Sequence, residues 1–190
     1  TMSALVGNPS GEDIFNYLND LKQNGIDQAM IYPRSGCLIE YLSEEWFCAI
    51  GDFIKSAESL DMSIWLYDDF NWPSGDACGR VTENEAFRLK SIKIEGDDIG
   101  KISSKSKHNS DIFGEKFFPD LMNPKAVDYF ISLTHEEYYK RFSSYFGTVI
   151  KGIFTDEPSI GYSSQNGFLP YYDGMENDYK RAYAKDFFDD

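Results

Sequence analysis

The sequence predicts an α/β fold made of repeated helix-then-strand units, and three observations carry that expectation. Short apolar runs at residues 28–32 (QAMIY), 63–67 (SIWLY) and 149–155 (VIKGIFT) each follow a segment with helical spacing of apolar residues. The runs are too short for helices and too continuously apolar for half-exposed strands, which is the pattern of strands buried in a parallel sheet. Each is followed at once by polar residues rich in chemistry, and parallel α/β sheets place their ligands just past the carboxyl ends of their strands.

Taken in order, residues 4–6 allow a first short strand. Ser10-Gly11-Glu12-Asp13 is a capping-box-like start, and Ile14, Leu18 and Leu21 follow at helical spacing up to Gly25, which predicts a helix over about 12–24. The strand at 28–32 is expected to close at Pro33. Ser43 caps a second helix, with Glu44 and Glu45 in its first turn and Phe47, Ile50, Ile54 and Ala57 on one face, ending near Leu60. After the strand at 63–67, residues 68–75 (DDFNWPSG) form a loop of turn formers. Residues 91–120 break the rhythm and read as an inserted loop or small hairpin, within which His108 is expected at the surface. Asn123-Pro124 opens a helix that carries Val127, Phe130, Ile131, Thr134 and Tyr138 and runs on to Phe146-Gly147. The strand at 149–155 runs into Asp156-Glu157-Pro158. Residues 159–174 are a Gly, Ser and Tyr-rich excursion before a last amphipathic helix at 175–188. The whole of 1–190 reads as a single domain.

Composition narrows the function classes. The chain has 32 Asp and Glu against 18 Lys and Arg, a net charge of −14, with 16% aromatic residues. An acidic surface with scattered cations repels phosphate backbones, so nucleic acid and anionic membranes are not expected partners. Neither a membrane span nor an export signal is visible, and Cys37, Cys48 and Cys78 show no CxxC spacing. This points to a reducing, cytoplasmic setting without a disulfide framework or structural zinc.

The residues that carry chemistry gather behind the predicted strands. Cleavage of a glycosidic bond needs a carboxylic acid to protonate the leaving oxygen, with a second carboxylate across the bond. Glu157 is the candidate acid or base and Asp156 the neighbour that tunes its charge and hydrogen bonding; the other reading makes both solvated turn caps. In WLYDDFNWPSG, Trp72 is a candidate sugar platform, and Asp68, Asp69 and Asn71 are partners for hydroxyls or a cation, while a merely rigid turn is the alternative. Tyr32 and Arg34 follow another strand; Arg34 is placed either to hold a substrate hydroxyl or carboxylate or to pair with Asp68 or Asp69. Convergence of Asp68, Asp69, Asp156 and Glu157 would suit a divalent cation such as calcium, although no cofactor and no metal ligand is assigned. His135, inside its predicted helix, reads as hydrogen-bonding locally.

With these residues in place, the chain resembles bacterial glycoside hydrolases with a TIM-barrel catalytic domain, similar to the α-L-rhamnosidases of family 106. The segments that carry the resemblance are NGIDQAMIYPRSG from Asn24, YLSEEWF from Tyr41, MSIWLYDDFNWPSGDACGR from Met62, LMNPKAVDYFISLTHEEYY from Leu121, IKGIFTDEP from Ile150 and LPYYDGMENDYKRAY from Leu169. It departs from those proteins at Asp68-Asp69, where they usually carry DE or DED, at Ala77-Cys78-Gly79, where they usually carry AGG, and in a shorter stretch before the Asn123-Pro124 helix. The resemblance implies the early part of a (β/α)8 barrel, about four β/α units, with Glu157 at a candidate acid position. A full barrel takes about 250 residues, so open strand edges and a bare inner face are expected, and with them self-association into a homo-oligomer. The expected function is hydrolysis of O-glycosidic bonds, its alternative a non-catalytic carbohydrate-binding or degenerate barrel.

Overall fold

A computed structural model of the chain describes residues 1–95, 98–103, 105–106, 116–160 and 168–187. In chain order its elements are β1 (Met2–Gly7), α1 (Gly11–Gln23), β2 (Gln28–Cys37), α2 (Glu44–Ser59), β3 (Ser63–Tyr67), β4 (Lys90–Glu95), β5 (Asp98–Ser103), β6 (Lys105–Ser106), β7 (Lys116–Phe117), α3 (Pro124–Leu133), α4 (His135–Phe142), β8 (Ile150–Phe154), β9 (Phe168–Tyr171) and α5 (Met175–Tyr183). The chain divides into one unit of Thr1–Val81 with Asp128–Pro158 and a second of Thr82–Val127 with Ser159–Asp190.

The first unit is built on a four-stranded sheet in the order β1-β2-β3-β8, with every pair parallel. It is a mixed α/β arrangement, as the apolar runs require. Helix α1 starts where they place it: the Ser10 hydroxyl accepts the Asp13 N–H while the Asp13 carboxylate accepts the Ser10 N–H. Ser43 caps α2 through its hydroxyl alone, which accepts the Trp46 N–H. Ile14 and Leu18 of α1, the Phe47, Ile50 and Ile54 stripe of α2, and Ala29, Ile31, Ile64, Leu66 and Ile150 of the strands share one buried core. Tyr138 of α4 joins it and receives the indole N–H of Trp46 on its hydroxyl at 3.0 Å.

The opposite face of the sheet is different. Met2, Val6, Trp65 and Phe154 point to that side and are each at least 37% exposed. Trp65 lies across β8, and a Cβ added to Gly152 would stand 2.7 Å from its Cζ3. Gly152→Ala is therefore expected to push the indole outward and to cost about 1–2 kcal/mol of unfolding free energy in a urea titration.

Three boundaries differ from the sequence expectations. Strand β2 does not close at Pro33 but continues to Cys37. Its pairing with β3 ends at Ile31, so from there on it bonds β1 alone, and the N–H that Pro33 lacks has no ladder partner to lose. The Pro33 carbonyl instead accepts the N–H of Asn71. The helix expected over 123–146 is broken at Thr134, whose N–H and hydroxyl both turn back onto the Phe130 carbonyl. Such back-bonding distorts a helix although the apolar spacing runs on across it. The last helix ends at Tyr183, before Ala184 in a left-handed conformation.

In the second unit β4 is the centre of an antiparallel sheet, β5-β4-β9, and β6 pairs β7. The break in rhythm at 91–120 thus contains hairpin pairing, and the excursion at 159–174 contributes β9. His108, with 107–115, the residues 161–167 and the end of the last predicted helix at 188 lie outside the described residues. Arg88 anchors this unit: its guanidinium lies 3.9 Å from the Phe117 ring centroid and its Nε donates to the Thr82 carbonyl. Among the described residues no helix is long and apolar enough to cross a membrane, and Cys37, Cys48 and Cys78 are not joined in a disulfide.

Candidate functional site

Strands β3 and β8 end side by side, with Tyr67 opposite Phe154, so the residues that follow them are brought together. Asp68 is fully buried. Its Oδ1 accepts the Ser74 hydroxyl at 2.5 Å and its Oδ2 the Thr155 hydroxyl at 2.6 Å. Ser74 is tied to the end of β8 twice more, since its N–H donates to the Asp156 carbonyl and its Oγ accepts the Asp156 N–H. One buried carboxylate thus clamps the β3 loop to the β8 end. Burial pushes Asp68 above the usual carboxylate range, against the pull of the two hydroxyls.

Asp69 turns the other way. Its Oδ1 accepts the backbone N–H groups of Phe70 and Cys78, and its Oδ2 those of Gly75, Asp76 and Ala77. Burial, opposed by those N–H groups, pushes this carboxyl up to about 6. The side chain is the template on which residues 70–78 fold. Both of its oxygens are spent on that loop, which is not the hydroxyl or cation contact expected from the sequence. Ala77 and Cys78 accept left-handed φ values of 50° and 61° to aim their N–H groups inward.

Asp156 and Glu157 stand above this base. The Tyr67 hydroxyl donates to Asp156 Oδ2 at 2.8 Å. Burial, and then this bond, push the Tyr67 hydroxyl well above its ordinary value. Glu157 is exposed rather than buried, and its Oε2 accepts the Trp72 indole N–H at 2.5 Å. Trp72 is itself 38% exposed, so an aromatic side chain and a carboxylate stand together at the surface. Asn71 and Glu157 both sit at left-handed φ, 61° and 42°, a strained conformation for residues with side chains.

The remaining candidates fall out unevenly. The Tyr32 ring lies 5.6 Å from that of Tyr67, which places β2 beside the site. Arg34 does not pair with Asp68 or Asp69; it is exposed and lies over the Tyr32 ring at 5.5 Å. Asn71 enters through its backbone bond to Pro33. The structure adds Tyr67, Ser74 and Thr155 to the site, and it gives His135, which bonds locally to Thr134 as expected, a second neighbour, its Nε2 lying 3.7 Å from Asp68 Oδ2. The first three directly flank or lie within the motifs already singled out, whereas the approach of His135 to Asp68 is signalled by nothing near it in the chain. Among the described residues no three His, Cys, Asp or Glu side chains gather as metal ligands. Asp68 and Asp69, which would have to supply oxygens to a cation, have theirs committed to internal donors.

The chain matches no family model and no curated protein.

Proposed function

We propose that this chain is a glycoside hydrolase-like domain that acts on O-glycosidic bonds through Glu157, and that its first unit is part of a (β/α)8-type barrel resembling that of the α-L-rhamnosidases. The observation that carries the reading is the exposed Trp72–Glu157 pair at the carboxyl end of a parallel sheet. Sugars present apolar C–H faces and need a proton at the glycosidic oxygen, and this pair sets a part-exposed aromatic ring and a carboxyl group within one hydrogen bond of each other. The barrel reading is supported by strand order: β1-β2-β3-β8 follows the chain with no reversal, whereas doubly wound sheets reverse at a switch point. The core also occupies one face of the sheet and leaves apolar side chains open on the other. In this reading β1 and β8 are open edges through which copies associate, and light scattering is expected to give a mass above that of the 21.8 kDa monomer.

Hydrolysis of aryl glycosides, with the α-L-rhamnoside as the first tried, by the parent chain and by Glu157→Gln tests the proposal. A second reading, a sugar-binding domain without turnover, is favoured by the use of the other acids: Asp68 and Asp69 are committed internally and Asp156 accepts Tyr67. Calorimetric sugar binding without product release would select it.

A further inference from the structure

The hydrogens around His135 can be counted. Thr134 Oγ1 has one hydrogen and gives it to the Phe130 carbonyl at 2.9 Å. Its contact with His135 Nδ1, also 2.9 Å, therefore has the ring nitrogen as donor. A neutral His135 then carries a bare lone pair on Nε2. That lone pair faces Oδ2 of Asp68 at 3.7 Å; the carboxylate is fully buried, and the imidazole is 30% exposed. Neither hydroxyl on Asp68 can relieve the clash. Ser74 and Thr155 each spend their single hydrogen on the carboxylate, and Ser74 Oγ already accepts from the Asp156 N–H. An acceptor lone pair set against a fully buried carboxylate is unfavourable, and a proton on the ring nitrogen turns the repulsion into attraction.

We propose that His135 and Asp68 form an ion pair in which Nε2 carries the proton against the Oδ2 carboxylate, which makes His135 a positioning residue for the β8 end that carries Asp156 and Glu157. The functional side of this rests on the reading of the β3 and β8 ends as the site; the pair itself does not depend on the reaction. The groups that face it are acids and phenols: Asp69 and Tyr67 beside Asp68 on the β3 side, Asp156 at the β8 end, Tyr41 before α2 and Tyr138 on α4. The face of the ring toward α3 meets Phe130, with centroids 5.8 Å apart. Burial lowers the proton affinity of His135 and raises that of Asp68. With the proton in place the pair is neutral overall. Without it a net negative charge is left buried under Thr155 and Ser74, the two residues that fix the path of the backbone into Asp156.

The test uses the full chain with His108→Gln, so that His135 is the sole histidine, and follows its ring nitrogens by long-range 1H–15N spectra across pH. The pair predicts a hydrogen on Nδ1 throughout. It also predicts that Asp68→Asn, whose amide N–H donates to Nε2 and holds the ring neutral, moves the midpoint down by about one pH unit or more, a tenfold change in proton affinity. An Nε2–H neutral tautomer, or a smaller or upward shift, overturns the proposal. If Asp68→Asn does not fold, Thr134→Val serves instead. Loss of the Nδ1 acceptor should move the high-pH form toward the Nε2–H tautomer, and an unchanged tautomer overturns the proposal equally. These spectra read the ring and not turnover, so a chain that hydrolyses no glycoside still decides the matter.

Discussion

Asp69→Asn is expected to lower the unfolding free energy by about 3 kcal/mol at neutral pH, as read from the midpoint of a urea titration. The parent carboxylate receives five backbone N–H groups at 2.7–3.0 Å. An asparagine keeps one oxygen and turns an NH2 toward the donors of the other, so at least two part-buried N–H groups lose their acceptor. The pH dependence has a definite sign. The folded-state carboxyl has been pushed up to about 6 from the ordinary 3.8, so between those values the folded protein keeps a proton that the unfolded chain has released. Stability from this group is present at the acid end of that window and is lost as pH rises through it. Asp69→Asn cannot titrate, so the difference in stability between parent and variant should carry this slope between about pH 4 and 6 and be flat above it. A parent stability that rises across the window by the same amount in both proteins would show that Asp69 does not titrate there.

The loop that Asp69 organises also shows where sequence reading reaches its limit. Strands β2, β3 and β8 were legible because their apolar runs are bounded by turn residues, and α1 and α2 because Ser10 and Ser43 announce themselves by local bonding that needs no tertiary partner. Residues 68–75 were legible as a loop and as a place where chemistry gathers. What could not be read was direction. Two adjacent aspartates at a strand end look alike in sequence, yet pleating sends Asp68 under the β8 end and Asp69 back into its own loop. The same holds at Pro33, where the strand continues because β3 has stopped pairing, a fact that belongs to the neighbour. At Thr134 the apolar spacing is unbroken, and only the competition for the Phe130 carbonyl reveals the break that points His135 at Asp68. Trp72 and Glu157 are 85 residues apart in sequence, and each was a candidate for its own reasons. Their hydrogen bond follows from β3 and β8 being neighbours, which the intervening second-unit segment hides.

That bond leads to the largest effect expected on activity. Glu157→Gln should reduce kcat for an aryl glycoside by about 10²- to 10⁴-fold, the usual worth of a positioned acid or base, while sugar binding measured by calorimetry stays within a few-fold of the parent. Glutamine keeps an oxygen to accept the Trp72 N–H, so the pair and its loop remain in place and only proton transfer is removed. Trp72→Phe separates the two roles proposed for the indole. The ring face for the sugar is preserved, but the donor that holds Glu157 Oε2 is gone, and an exposed carboxylate with φ at 42° has lost the contact that orients it. A drop in kcat/KM of about tenfold, carried by kcat rather than KM, is the expected result. Were Trp72→Phe to raise KM and leave kcat alone, the indole would be a platform and nothing more. Were Glu157→Gln to hydrolyse as well as the parent, Glu157 would not be the acid, and the exposed pair would be a sugar-binding surface alone.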